Sequence, residues 1–244
     1  MLNVQLLTPS FFVAVRDFPA KVSAAAEKEV ERLWRLEQTR RGEIFNGRIL
    51  SALDVTSEGI LCRMAEYRHL VAQRKRHELY QVLKVRPVAV SGLCQCADGI
   101  VFGRRADRVT EEPGLWELVP SGRFDASKAA VGDQVDYRSQ ILTELRDEIG
   151  IGSSSVNCLG PLCLVDDSHS HVLDIGVELS SSLSAEAISI THREVVSKEY
   201  DQLRVVPLGD VDNFIKAEAS QLVAVSKALV GARFMKAGKT TENQ

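Results

Sequence analysis

Residues 139–151, SQILTELRDEIGI, superimpose two helical patterns and set what the rest of the chain must be built around. Ile141, Leu142, Leu145 and Ile149 recur at the spacing that gives a helix one apolar face to bury. Glu144, Asp147 and Glu148 stand at i, i+3 and i+4 on an adjoining face, where side chains are neighbours. Gly150 is placed for a left-handed C-cap, with Ile151 as the hydrophobic latch behind it. Three acids on one narrow face repel each other, which disfavours the helix unless positive charge sits between them. Hard carboxylate oxygens on one rigid element suit Mg²⁺ or Mn²⁺. The plainer alternative is a solvated acidic face.

At 244 residues the chain can hold one large domain or two small ones. Its formal net charge of −3, without basic runs interleaved with aromatics, gives no electrostatic footprint for nucleic acid. Phe11, Phe12 and Val13 form an apolar patch that Arg16 and Asp17 cut short, so neither a signal peptide nor a membrane span is expected. Five cysteines without a C-x₂-C pair read as reduced thiols, with Cys94 and Cys96 on one face of a strand, and point to a cytoplasmic compartment.

Along the chain, short strands are expected within residues 1–18, then a helix over 20–41 with Trp34 packed against the following segment. Strands over 44–55 and 59–65 and a helix over 66–79 follow, with a soft boundary near Lys84. Strands over 85–96 and 100–103 flank the hairpin signal Ala97-Asp98-Gly99, and another covers 115–119. After a loop over 123–134 comes the acidic helix. Strands near 157–165, 171–179 and 203–207 lead to one C-terminal helix over 210–234, with a disordered tail over 237–244. Strands on both sides of a central helix, with another helix at the end, predict an α/β sandwich.

The strand-turn WELVPSG (116–122), a loop, and TELRDEIGI (143–151) together resemble the signature of Nudix hydrolases. That pattern is a glycine, a glutamate, then Arg-Glu-apolar-x-Glu-Glu-x-Gly-apolar. Its second half matches at Glu144, Leu145, Asp147 (for Glu), Glu148, Gly150 and Ile151. Thr143 stands in place of the arginine, seven extra residues separate Gly122 from the helix, and Val135 replaces the upstream glutamate with Asp136 one step away. Such a loop extension costs little closure entropy.

The resemblance implies a Nudix-type α/β/α sandwich with a mixed sheet over 84–236, preceded by a smaller α+β accessory domain over 1–83. It implies hydrolysis of a nucleoside diphosphate linked to another moiety, with Mg²⁺ (or Mn²⁺) held by Glu144, Asp147 and Glu148. Metal-bound water attacks phosphorus in such chemistry. Glu144 and Glu148 are then catalytic, and Glu199, in SKEYDQLRVVP (197–207), resembles the acid that precedes a late strand in many members. A surface acid is the alternative for Glu199; Glu178 and Asp174 are weaker candidates.

Anionic substrate needs cations. Arg104 and Arg105 alternate, so at most one of them faces the site, and Arg123 follows the Gly122 turn. Arg104 and Arg123 are taken as the substrate-binding pair, though each is also read as a plain surface arginine. His169 and His171, beside Asp166 and Asp167, read as a polar cleft rim. EIFNGR (43–48) and EYRHLV (66–71) resemble the segments ahead of the catalytic fold in UDP-glucose diphosphatase-like members. Phe45 and Tyr67 are candidates to stack on a base, against a core role for each. The expected partner is a small nucleotide substrate such as UDP-glucose, with no nucleic acid or membrane, in a chain that could be a homodimer. Alternatives are ADP-ribose, a dinucleotide or a coenzyme derivative as substrate, or a Nudix-like module that binds nucleotide without cutting it.

Overall fold

The computed structural model describes residues 1–241 except 43, 125, 127, 128, 197 and 198, with side chains described as far as residue 236. Its apolar runs form two sheets. The larger takes β1 (Leu2–Leu6), β5 (Val88–Cys96), β6 (Gly99–Arg105), β7 (Trp116–Leu118), β8 (Ser121–Arg123), β9 (Val156–Asp167), β10 (Leu173–Ser181) and β11 (Tyr200–Val206). The order is β1-β9-β10-β5-β6-β11, with β7 on β6 and β8 on β5. β10 runs parallel to β5 while its other neighbour is antiparallel, so the sheet is mixed as expected. The smaller sheet is β2-β4-β3, from Phe12–Val15, Gly59–Glu66 and Arg48–Val55.

Helices cover both faces of the larger sheet. On one, Ile141, Leu145 and Ile149 of α4 (Tyr137–Ile149) pack with Val88, Val90 and Cys94. On the other, Val211 and Phe214 of α6 (Val211–Ala217) and Leu229 and Val230 of α7 (Ala224–Thr241) pack with Leu93, Phe102 and Cys163. The N-terminal helices α1 (Ala24–Arg41), α2 (Tyr67–Lys75) and α3 (Tyr80–Leu83) enclose a third cluster around Val30, Leu70 and Leu83. Trp34 meets Tyr67 edge-on at 6.2 Å, so its aromatic partner is on α2, two strands beyond the adjoining segment that the sequence suggests.

The N-terminal part is joined intimately to the rest. β1 lies in the larger sheet against β9, and Val13, Val15, Leu50 and Ile60 share one apolar cluster with α4. All five thiols are free, and Cys94 and Cys96 are both buried.

Two helical features depart from expectation. α5 (Ala185–Glu194) has no counterpart in the sequence reading; only Ile188 is buried in it, too faint a stripe to register. Ser184 caps it through Ala187 N at 3.2 Å. The expected single C-terminal helix is broken, because Gln221 and Val223 leave it to bond the backbone of Trp116 at 2.7 and 2.8 Å. The helical backbone then continues to Thr241, four residues past the start of the expected disordered tail, and residues 242–244 lie outside the described ones.

Candidate active site

α4 starts at Asp136, whose carboxylate accepts from Arg138 N at 3.0 Å and Ser139 N at 3.1 Å. That corrects the reading of Asp136 as a displaced upstream acid: both bonds are N-cap bonds, which an aspartate at this position supplies. The helix ends at Gly150 with φ +78°, its N–H on Arg146 O, and Ile151 is buried behind it. Between these caps α4 carries Glu144 and Glu148 to β8. Gly122 makes their approach possible, since a Cβ built on it would stand 2.6 Å from Glu144 Oε1.

Glu148 lies beneath, almost wholly buried, with both carboxyl oxygens 3.3 Å from Ser121 N and Oε2 3.2 Å from the Tyr200 hydroxyl. The same hydroxyl is 2.8 Å from Glu117 Oε1, and Glu117 pairs with Arg105. Arg105 also reaches Glu199 Oε1 at 3.4 Å, and Ala106 N bonds Glu199 O at 2.8 Å. Three glutamates thus gather round one arginine and one tyrosine, and the charge of Glu144 also acts on Glu148. Burial, then the charges of Glu117, Glu199 and Glu144, push the Glu148 carboxyl well above the usual range. Burial likewise lifts Glu117 to about 7, although Arg105 and Tyr200 oppose the shift. One phenolic hydrogen cannot serve two carboxylates, so this cluster favours retaining a proton or accepting a cation.

The expected third acid is elsewhere. Asp147 is exposed and pairs with Arg146 at 2.9 Å, outside the cleft, which corrects the expectation of three acids converging. With Thr143 bonded to Ser139 O, no arginine at 143 draws Asp147 inward. Glu144, Glu148 and Glu199 offer hard oxygens, the donor chemistry that Mg²⁺ and Mn²⁺ take. Among the described residues, however, no three His, Cys, Asp or Glu side chains stand close enough to grip an ion as arranged. The donor set fits in kind. Its closure round an ion requires side-chain rotation at Glu144 or Glu199, both only half-buried.

The acids open on a cleft of about 1080 Å³ lined by Tyr67, Arg74, Arg105, Glu111, Arg123 and Asp174 among others. Arg123 pairs with Glu111, which also meets Arg74 at 2.6 Å. Burial opposes ionisation of Glu111, yet the two arginines outweigh it and hold its pKa at about 2. Of the alternating pair it is Arg105 that enters the cleft. Arg104 is exposed and bonds Gly114 O, a correction to its assignment as a phosphate ligand. Phe45 is 87% exposed and is not among the cleft residues, whereas Tyr67 lines the cleft. Glu43, from the same motif as Phe45, lies outside the described residues.

His169 and His171 do line the rim, with His171 stacked on Tyr80 at 3.6 Å. Glu178 is tied to Arg233 and Lys236 of α7, a structural role. Sequence reasoning missed Glu117 and Tyr200, and of the alternating arginines it took Arg104 where the structure brings in Arg105. Glu117 had a signal, being the one acid in the apolar run Leu115–Val119. Tyr200 had none, since its partners lie 52 and 83 positions away.

No family model and no curated protein matches the chain. Among solved structures it is similar to the MutT protein of Methanosarcina mazei, at 14% identity over 61% of this chain and 94% of that one, with a TM-score of 0.42. A Nudix hydrolase of M. smegmatis, RenU, matches at 14% identity over 64% and 87%, with a TM-score of 0.43. A bifunctional NMN adenylyltransferase/ADP ribose pyrophosphatase of Francisella tularensis, complexed with AMP and manganese, matches at 15% over 70% and 49%, with a TM-score of 0.42. Likenesses this low carry no argument about chemistry, which rests on the site.

Proposed function

We propose that this chain is a Nudix-type hydrolase that cleaves the diphosphate of a nucleoside diphosphate joined to a second moiety. The leading substrate is a nucleotide sugar such as UDP-glucose, and the products are nucleoside monophosphate and sugar phosphate. The observation that carries this reading is Glu144 seated on Gly122 with Glu148 buried beneath it, facing a cleft that holds Arg74, Arg105 and Arg123. Glu144 and Glu148, with Glu199, would hold Mg²⁺, which when bound neutralises diphosphate charge and acidifies water. Arg123 and Arg74 bind and orient the phosphates, and Arg105 positions Glu199 and Glu117. Residues 1–83, read as an accessory unit, complete the cleft by supplying Tyr67, Gln73, Arg74 and His77.

Replacing Glu148 by Gln should nearly abolish Mg²⁺-dependent release of monophosphate from UDP-glucose while the protein still melts cooperatively. Undiminished turnover in that variant would defeat the assignment. The outward Asp147 and the absence of three converging acids among the described residues favour a second reading, a nucleotide-binding module without turnover. Tight binding with no hydrolysis of UDP-glucose, ADP-ribose or a dinucleotide at millimolar Mg²⁺ selects that module.

A further inference from the structure

Asp174, on β10, is buried with one carboxyl oxygen unanswered. It is 6% exposed, its Oδ1 has no hydrogen-bond partner, and it lines the cleft. The other buried acids described, Glu37, Glu117, Glu148 and Glu178, all have partners. Leaving a buried polar atom unpaired is costly, and a site that keeps one is a site awaiting a ligand group. Ser91 is hydrogen-bonded to the same carboxyl, and its hydroxyl is 3.1 Å from that of Ser121, whose N–H reaches Glu148.

The sheet register places this acid relative to the phosphate end of the cleft. Arg123 pairs with Ala89 and Ala89 pairs with Asp174, one row across β8, β5 and β10. Residues in such a row point to the same face. The alanine methyl leaves a trough between a cation and a hydrogen-bond acceptor. Two strand spacings make the trough about 10 Å long, enough for a phosphate and a sugar ring attached to it.

We propose that Asp174 is a specificity-determining residue that accepts a hydrogen bond from a hydroxyl on the glycosyl half of the substrate. This rests on reading the cleft as a diphosphate site. A carboxylate oxygen can only accept, so the ligand group must donate. An ionised phosphate has no hydrogen to give. The ring N–H of uracil stands between two carbonyl oxygens, which a carboxylate repels. A sugar hydroxyl donates to Oδ1 without bringing that repulsion.

The test compares nucleotide sugars with their parent diphosphates by calorimetry, with Ca²⁺ in place of Mg²⁺. Wild-type protein should bind UDP-glucose or ADP-glucose more tightly than UDP or ADP. Asp174→Asn should weaken the nucleotide sugar about tenfold, the scale of one bond to a charged group, and leave the parent diphosphate unchanged. Ser91→Ala, which loosens the carboxyl without removing it, should give a smaller loss of the same kind if Asp174→Asn fails to fold. Equal weakening of sugar and parent, no weakening, or a wild-type protein that prefers neither sugar overturns the proposal. Mg²⁺-dependent hydrolysis without the Asp174 effect sinks this inference and leaves the hydrolase reading standing; the Asp174 effect without hydrolysis does the reverse.

Discussion

The Glu144 carboxyl fills the space that a side chain at position 122 would need, with Oε1 2.6 Å from where a Cβ on Gly122 would lie. Gly122 is not among the residues of positive φ, so alanine there meets no backbone strain. The obstruction is the Cγ, Cδ and Oε1 of one glutamate side chain, which must rotate as a whole to make room. Gly122→Ala should therefore cost no more than about 1 kcal/mol of stability yet lower kcat for UDP-glucose at least tenfold, because Glu144 leaves its place. Melting curves and Mg²⁺-dependent turnover measure the two effects. A variant as active as wild type would separate this contact from the chemistry.

Arg105 is the cation that Glu117 has against its own burial. Removing Arg105 leaves Glu117 without its counter-charge. Since burial already holds that carboxyl at about 7, Arg105→Ala should lose little stability in urea denaturation below pH 7 and progressively more as pH rises above it. Arg105→Lys keeps the charge but not the planar fork that meets Glu117 and Glu199 together. The lysine variant is expected to regain most of the stability and little of the turnover. Recovery of both would reduce Arg105 to a point charge.

The acidic helix was legible because its information is local: an apolar stripe, a glycine cap and acids at helical spacing all fall within thirteen residues. The same stretch could not say which acids face inward. That depends on what draws each one, and with Thr143 bonded to its own helix, Asp147 turned to Arg146. Alternation correctly allowed only one of Arg104 and Arg105 into the cleft. It could not choose between them, since the choice follows from how β6 pairs with β7 and β11. The mixed α/β layering was readable from the order of strands and helices, but the break before α7 comes from a long-range bridge to Trp116 that no helical period encodes.

Arg123 and Arg104 give a direct contrast between the cleft and its outside. Arg123 lines the cleft and is held there by Glu111, whereas Arg104 bonds a surface carbonyl. Arg123→Ala should raise KM for UDP-glucose about tenfold, the worth of a charge-assisted contact to phosphate. Arg104→Ala and Phe45→Ala should leave kcat/KM within about twofold, as exposed substitutions do. A comparable loss in all three would mean that substrate extends well beyond this cleft.

Two buried acids should make stability respond to pH in opposite senses. Glu37 is hydrogen-bonded to Arg40 at 2.6 Å and paired with Lys75 at 3.0 Å, which hold its carboxyl near 2 against an ordinary 4.5. A depressed carboxyl adds stability above its unfolded pKa and surrenders it as pH falls through the folded one. Glu37→Gln should thus be less stable than wild type at neutral pH, the deficit shrinking from about pH 4.5 towards 2. Asp174 is the converse: burial lifts it from 3.8 to about 6 although Ser91 opposes the shift. Its penalty is absent below about pH 4, grows between about pH 4 and 6 and then persists, with a ceiling of about 3 kcal/mol. Asp174→Asn should therefore stabilise the protein at pH 7–8 and change nothing at pH 3, as read by chemical denaturation across that range. A gain that survives at pH 3 would show that repacking, and not relief of a buried charge, is what the asparagine supplies.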